Sequence, residues 1–157
     1  MFNAANDTHF SLAIEGVEHD LQVLAFTGRE AISQPFRFEL ELISEHPELN
    51  LQSLLHKPAF LALSPAGHGI HGVIHRVAQG ESGKRLTRYR VSIVPQLTYL
   101  AHCTDQRIFQ HLTVPQIIAQ VLESHGIQAN AYRFQLGPTA YPERDYCTQY
   151  DETDLHF

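Results

Sequence analysis

The segment Gln34–Ser44, QPFRFELELIS, constrains the fold of this chain more than any other. Its even positions are apolar and charged residues fall between them: Phe36, Phe38, Leu40 and Leu42 alternate with Arg37, Glu39 and Glu41. This period of two is typical of a β-strand with one buried face and one exposed face. A parallel sheet covered by helices on both sides would give a near-continuous apolar run instead. The segment therefore predicts an antiparallel sheet in a sandwich or a barrel.

The size and charge of the chain exclude several classes of protein. Its 157 residues, 43% of them hydrophobic, are enough for one solid core, or for one domain and the beginning of another. The net charge of -6 provides no basic face for the release of counterions, so we expect no binding of nucleic acid. The two cysteines, Cys103 and Cys147, are too few for a disulfide scaffold, and we expect both to be reduced.

The N-terminal residues carry no targeting signal that we recognise. They lack the basic and apolar regions of a signal peptide, and no window of the chain is long and apolar enough for a membrane helix. We therefore expect a soluble protein made in the cytoplasm, with residues 1–8 as a flexible leader. Asn6-Asp7-Thr8 fits a glycosylation sequon, but a polar leader explains it better when no signal peptide is present.

Short alternating segments continue around the central strand. Residues 10–14 and 21–25 predict a hairpin that precedes it, so that three consecutive strands are neighbours. Three more strands and a short helical plug are predicted after it, with the plug at Leu49–Leu55, the strands at Ala59–Leu63, Gly69–Val77 and Leu86–Val94, and a hairpin loop at Gly80–Lys84. Six short strands at this spacing predict a mainly β fold, an antiparallel Greek-key-like β-barrel over residues 9–101.

The pattern changes after Pro95. Residues Thr113–Gly126 carry the apolar stripe of an amphipathic helix, with Thr113 and Gln116 as a capping box and Gly126 as the stop. Strands are predicted at Tyr132–Leu136 and Tyr146–Tyr150. The acidic segment Asp151–Phe157 has the composition of a helix start. We therefore expect residues 102–157 to be the start of an α+β lobe that is truncated at its C-terminus.

The eleven histidines suggest a metal site, but their spacing does not support one. On a strand, His71 and His75 would share a face and lie ~13 Å apart, at ~3.3 Å per residue, which is too far for one zinc ion. Residues 80–85 lack the spacing of a phosphate-binding loop, and Ser82 lacks the surroundings of a nucleophile elbow. We therefore predict no metal and no cofactor.

Two further groups could carry catalysis. The carboxylates of Asp151, Glu152 and Asp154 are explained better as charges at a helix start than as an acid and base pair. Cys147 between Tyr146 and Tyr150 is explained better as a thiol packed by aromatic rings than as a nucleophile. The residues therefore predict no catalytic site and no enzyme.

Four segments together resemble the N-terminal part of VgrG proteins, the trimeric spike proteins of type VI secretion systems, which are related to the baseplate hub of contractile phage tails. The segments are Val23–Glu30 with Ser33–Phe38, Gly72–Ile74, Arg107–Gln110 with Val114-Pro115 and Ile118, and Tyr146–Phe157. The first and last of these are specific in order and spacing. The resemblance covers nearly the whole chain from Phe10.

This resemblance implies a mechanical role. In that family a first hub barrel and an α+β lobe are followed by a second barrel, an OB-like domain and a β-helical needle. Three chains form a base that sits on the hexameric tube protein Hcp, and the spike punctures target membranes and carries effectors. The implied partners are therefore the protein itself as a homotrimer, Hcp, secreted effectors or adaptors, and baseplate components. The implied route is secretion through the type VI apparatus after synthesis in the cytoplasm.

No single interface residue follows from the sequence. The candidates are charged residues on strands whose other faces are apolar: Arg37, Glu39, Glu41, Arg88 and Arg90. Simple solvation of the exposed strand faces explains these charges better than an interface does. Two other functions remain open, the hub of a contractile phage tail or tailocin, and a ligand-binding or hydrolase barrel that uses the histidines.

Overall fold

The computed structural model describes residues 10–64 and 66–157. The predicted leader, residues 1–8, and its sequon lie outside the described residues. The chain divides into two compact units, the first ending at Pro95 and the second spanning Gln96–Phe157. Each unit has its own hydrophobic core.

The first unit is a six-stranded antiparallel sheet. Its strands are β1 (Ser11–Ile14), β2 (Gln22–Ala31), β3 (Gln34–Ser44), β4 (Pro58–Ala62), β5 (Gly69–Ser82) and β6 (Thr87–Val94), and the short helix α1 (Leu51–Leu54) connects β3 to β4. The strand order is β1-β4-β5-β6-β3-β2. Strands β4, β5 and β6 follow one another as neighbours, and β3 lies beside β6 after the long connection through α1. This arrangement is a Greek key, as predicted.

The predicted hairpin of β1 with β2 is wrong. Strand β1 pairs with β4, with Leu12 opposite Leu61, while β2 pairs with β3. The two strands are therefore opposite edges of the sheet, although Leu12 and Val23 belong to one core. The sheet curls into a half-barrel to bring them there. The alternation of β1 and β2 predicts which face is buried, but it does not identify the strand alongside.

The core of the first unit lies on the apolar face of β3, as its alternation predicts. Phe38, Leu40 and Leu42 are at most 5% exposed, and the charged residues between them are exposed. They pair directly with β6, where Leu42 stands opposite Tyr89. The ring of Tyr89 is buried, and its hydroxyl donates a 2.8 Å hydrogen bond to the carbonyl oxygen of His46. The buried phenol of Tyr89 thus has a hydrogen-bond partner in the segment that follows β3.

Two strands extend further than predicted. Strand β5 runs to Ser82, so residues 80–82 belong to the strand and not to the hairpin loop. Strand β2 runs through Gly28 to Ala31 and ends at a tight turn in which Ser33 has a φ of 59°. Gly28 suits this strand because the ring of Phe38 lies over it, and a Cβ atom there would be 2.3 Å from Phe38 Cε1. Gly28 therefore allows the ring of Phe38 to approach the backbone of β2, and it does not form a turn.

The second unit contains a two-stranded ribbon and one longer helix. Its elements are a 3₁₀ helix (Gln96–His102), β7 (Thr104–Leu112), α2 (Val114–Ser124) and β8 (Arg144–Thr153). Helix α2 begins and ends as predicted. The side-chain oxygen of Gln116 accepts a 2.8 Å hydrogen bond from the backbone N–H of Thr113, and Gly126 follows the helix with a φ of 73°. No helix in the described part of the chain is long and apolar enough to cross a membrane.

Three expectations for the second unit are wrong or incomplete. Strand β7 was not predicted from the alternation, and residues 132–136 form no strand. Residues Asp151–Thr153 belong to β8 instead of starting a helix, and Asp151 has a positive φ of 49° within that strand. The acidic composition of this segment therefore reflects side chains of a strand and of the turn after it.

A half-buried carboxylate, that of Asp20, joins the start of β2 to the end of β3. Asp20 accepts hydrogen bonds from the hydroxyl of Ser44 at 2.6 Å and from the backbone N–H of Glu45 at 2.8 Å, and it lies 3.1 Å from Nδ1 of His46. Burial alone would raise the pKa of Asp20, but these hydrogen bonds lower it to about 2. The ionised form is thus the one that the fold favours.

We expect Asp20→Asn to destabilise the first unit in a pH-dependent way. Because the pKa is lowered from 3.8, the stabilisation is fully present above about pH 4 and is lost as the pH falls towards 2. Near neutral pH the variant should lose at most about 2 kcal/mol of unfolding free energy. Solvent screening lowers this value, because the side chain of Asp20 is 32% exposed. Urea unfolding at pH 7 and pH 2.5 measures it, with the exposed Glu18→Gln as control. If the free energy of unfolding differs between Asp20→Asn and wild type by the same amount at both pH values, the prediction is wrong.

Candidate interaction face

The five predicted interface residues all lie exposed on one face of β3 and β6. Glu41 stands directly opposite Arg90, and Glu39 stands opposite Ser92. Nη1 of Arg37 lies 3.8 Å from Oε1 of Glu39 on the same strand. The structure therefore brings Glu41, Arg88 and Arg90 together, with Arg37 and Glu39 further along β3. We call these five residues the mixed-charge face.

A groove of about 530 Å³ crosses the mixed-charge face. It is lined by Glu41, Arg88 and Arg90, together with Leu24 of β2 and Glu81 of β5. Charges of both signs thus alternate around an exposed apolar side chain. Guanidinium and carboxylate groups make directional hydrogen bonds, so such a groove suits a polar protein surface.

Arg29 is not among the residues predicted from the sequence. The alternation predicts a strand that ends before Thr27, whereas β2 continues to Ala31 and places Arg29 directly opposite Arg37. Both arginines line a second open groove of about 420 Å³ together with Thr27 and Glu39. The tight turn at Ile32 and Ser33 sets the pairing register of β2 with β3. Recognising this turn in the sequence would have predicted that Arg29 and Arg37 are paired.

A buried polar network ties the second unit together. The guanidinium group of Arg107 donates to the side-chain oxygen of Gln149 at 3.0 Å and 2.8 Å and also pairs with the carboxylate of Asp154. The amide of Gln149 donates to Asp154 at 2.6 Å, and Nε2 of His125 contacts the other carboxylate oxygen. The network joins β7, β8 and the end of α2.

This network identifies the role of Asp154. Its side chain is 3% exposed, and burial alone would raise its pKa. Hydrogen bonds from Gln149 and His125 and the charge of Arg107 lower the pKa overall. Both carboxylate oxygens are occupied by neighbours within the unit. The prediction that Asp154 is a charge at a helix start is incomplete. The backbone N–H of Phe157 donates to the carbonyl oxygen of Thr153 at 3.0 Å, as in a first helical turn, but the side-chain contacts of Asp154 are those of a structural anion.

The other residues weighed for chemistry lie apart or pack into the fold. The ring of His71 lies against Phe60, with centroids 4.3 Å apart. Within residues 10–64 and 66–157, no group of three or more His, Cys, Asp or Glu side chains could hold a metal ion. Both cysteines are free thiols, Cys103 exposed and Cys147 half-buried against the second core.

Comparison with known proteins defines the class of this fold. The family model of the phage tail baseplate hub (GPD) matches residues 29–157. The chain therefore belongs to the phage tail baseplate hub family.

Particular relatives come from type VI secretion. The chain is 68% identical over all 157 residues to the type VI secretion system spike protein VgrG5 of Pseudomonas aeruginosa, and 66% identical to VgrG4b of the same strain. It spans 20% and 19% of the length of these two relatives. An Escherichia coli protein, c3393, a component of the type VI secretion system with similarity to the phage T4 tail proteins gp27 and gp5, superposes with a TM-score of 0.78 at 30% identity, over 92% of this chain and 40% of that one. The predicted resemblance to VgrG proteins and the mainly β, hub-like fold class are thus confirmed.

Proposed function

We propose that this chain is the N-terminal hub region of a type VI secretion spike protein. The observation that carries the proposal is the identity to two spike proteins over the full length of the chain. Because the chain spans about a fifth of those relatives, the complete protein would contain further domains. The contractile phage tail hub is the second candidate. It is favoured by the family model, but the relatives named above come from type VI systems.

The proposed role is mechanical and positional. Three copies of the complete protein assemble into a base, the base docks on the hexameric tube protein Hcp, and the spike carries effectors or adaptors out through the apparatus after synthesis in the cytoplasm. The curled sheet supports this role because it presents a broad polar surface, the mixed-charge face, above a well-packed core. Baseplate components are further proposed partners.

The first test is the solution mass of the complete spike protein, with this 157-residue chain measured beside it. We expect three chains for the complete protein and one for the 157-residue chain by light scattering. This result would place trimerisation outside the hub region. A monomeric complete protein would contradict the proposal. A second measurement separates the two candidates. A type VI spike should be secreted only when the tube protein is present, whereas a phage tail hub should not be secreted in this way.

A further inference from the structure

The hairpin of β2 and β3 extends beyond the sheet. Strand β3 pairs with β6 from Phe38 to Ser44, whereas its first residues, 34–37, pair with β2 alone in the described part of the chain. The turn at Ile32 and Ser33 closes this extension. We call residues 27–37 the hairpin arm.

Aromatic packing braces the base of the hairpin arm. The ring of Phe38 lies 5.8 Å from that of Phe36 and 6.2 Å from that of Phe26, and Phe26 in turn makes an edge contact with Phe10 at 5.1 Å. Phe38 also covers Gly28. A two-stranded ribbon alone is marginally stable, so this row of rings holds the arm in one orientation. The arm is therefore preorganised for contact.

The hairpin arm carries an incompletely balanced cationic pair. Arg29 and Arg37 are directly opposite and exposed, and like charges in this position destabilise a sheet. Glu39 lies 3.8 Å from Arg37, but Arg29 makes no ion pair within the described residues. Two positive charges thus face one negative charge, in a chain whose net charge is -6. The pair is suited to receive one more carboxylate.

The tip of the hairpin arm is apolar. Ile32 occupies the tight turn and is 96% exposed, more than any other large hydrophobic side chain of the described residues. Turns of this kind are usually built from glycine, asparagine, aspartate or serine, so isoleucine is not there for the turn geometry. An apolar side chain next to paired arginines is the composition of an interface centre.

We propose that the hairpin arm docks on a partner protein that places a carboxylate between Arg29 and Arg37 and receives Ile32 in an apolar socket. The partner in this proposal is the tube protein, so this inference rests on the proposed function. Nucleic acid fits less well, because Glu39 lies beside the arginines and the chain as a whole is acidic. The exposed groove lined by Arg29 and Arg37 provides the space for the incoming side chain.

The test measures binding of the complete spike protein to the purified tube protein by biolayer interferometry. We expect the double variant Arg29→Ala with Arg37→Ala to bind about tenfold more weakly or worse, and Ile32→Ala to weaken binding as well. Replacement of both arginines by lysine should retain much of the affinity, because the charge remains. The matched control, Arg76→Ala with Arg85→Ala, removes the same charge from other exposed positions and should leave binding unchanged.

Thermal unfolding accompanies each variant. Removing the like-charged pair should leave the unfolding temperature unchanged or raise it, which separates lost contact from lost folding. If the wild type binds the tube protein and the arginine and Ile32 variants bind it with the same affinity, this inference is overturned and the proposed function stands. No binding by the wild type would overturn docking on the tube and this inference with it. Loss of trimer mass in the arginine variant would instead identify a second copy as the occupant and overturn the tube as partner.

Discussion

Replacing Asp154 with alanine should destabilise the second unit by about 3 kcal/mol. Its carboxylate is nearly fully buried and contacts Arg107, Gln149 and His125. Removal of one partner of a fully buried ion pair costs about 3 to 5 kcal/mol. Here Arg107 keeps a second ion pair, with Asp105 at 3.1 Å, while Gln149 and His125 lose their acceptor. The lower value applies here because the side chain of Arg107 is 24% exposed. Unfolding of the 157-residue chain in urea measures the loss.

Asp145→Ala is the control for this prediction. Asp145 lies on the same strand, β8, but it is exposed, so its replacement should change stability by less than about 0.5 kcal/mol. The pH dependence adds a second readout. Since the pKa of Asp154 is lowered in the folded state, its contribution is fully present above its ordinary pKa and is lost as the pH falls below that value to the lowered pKa. Asp154→Ala should therefore weaken the acid sensitivity of the unit. Equal stability of the two variants would refute the structural role of Asp154.

Gly72→Ala should destabilise the first unit by about 3 kcal/mol. A Cβ atom at Gly72 would lie 2.5 Å from Cγ2 of Ile93 and 2.7 Å from the backbone carbonyl oxygen of Val94. Ile93 is fully buried, and the carbonyl oxygen belongs to β6, so neither can move without disturbing the pairing of β5 with β6. Overpacking of this kind costs about 1 to 3 kcal/mol, and a backbone clash puts it at the upper end.

Gly80→Ala, the same substitution on the same strand β5, is the matched control. A Cβ atom at Gly80 would lie 3.5 Å from Cβ of Arg88, which is ordinary contact, and Gly80 has no positive φ. Gly80→Ala should therefore be neutral or slightly stabilising, because alanine restricts the unfolded chain. Thermal and urea unfolding of the two variants compares the positions directly. Equal effects would show that steric contact at Gly72 does not decide the outcome.

Much of the local structure follows from the sequence. The burial of β3 and the length and caps of α2 were predicted correctly, because a period of two or of 3.6 residues determines which side chains share a face. The Greek-key arrangement and the family resemblance were also available from strand spacing and from four short segments. Burial and capping depend on residues close together in the chain, whereas the Greek key was inferred from the number and spacing of the strands without identifying each pair.

The interaction surface and the buried network both depend on which strands pair and in which register. Arg29 and Arg37 meet through the register of β2 and β3, and Asp154 meets Arg107 through the pairing of β7 with β8. In the same way, β1 pairs with β4 and not with β2. The sequence by itself determined which faces are apolar, where α2 begins and ends, and which family the chain resembles. Only the tertiary structure decided which strands pair and which charges are buried or left unbalanced, because register and burial depend on partners that no local pattern identifies.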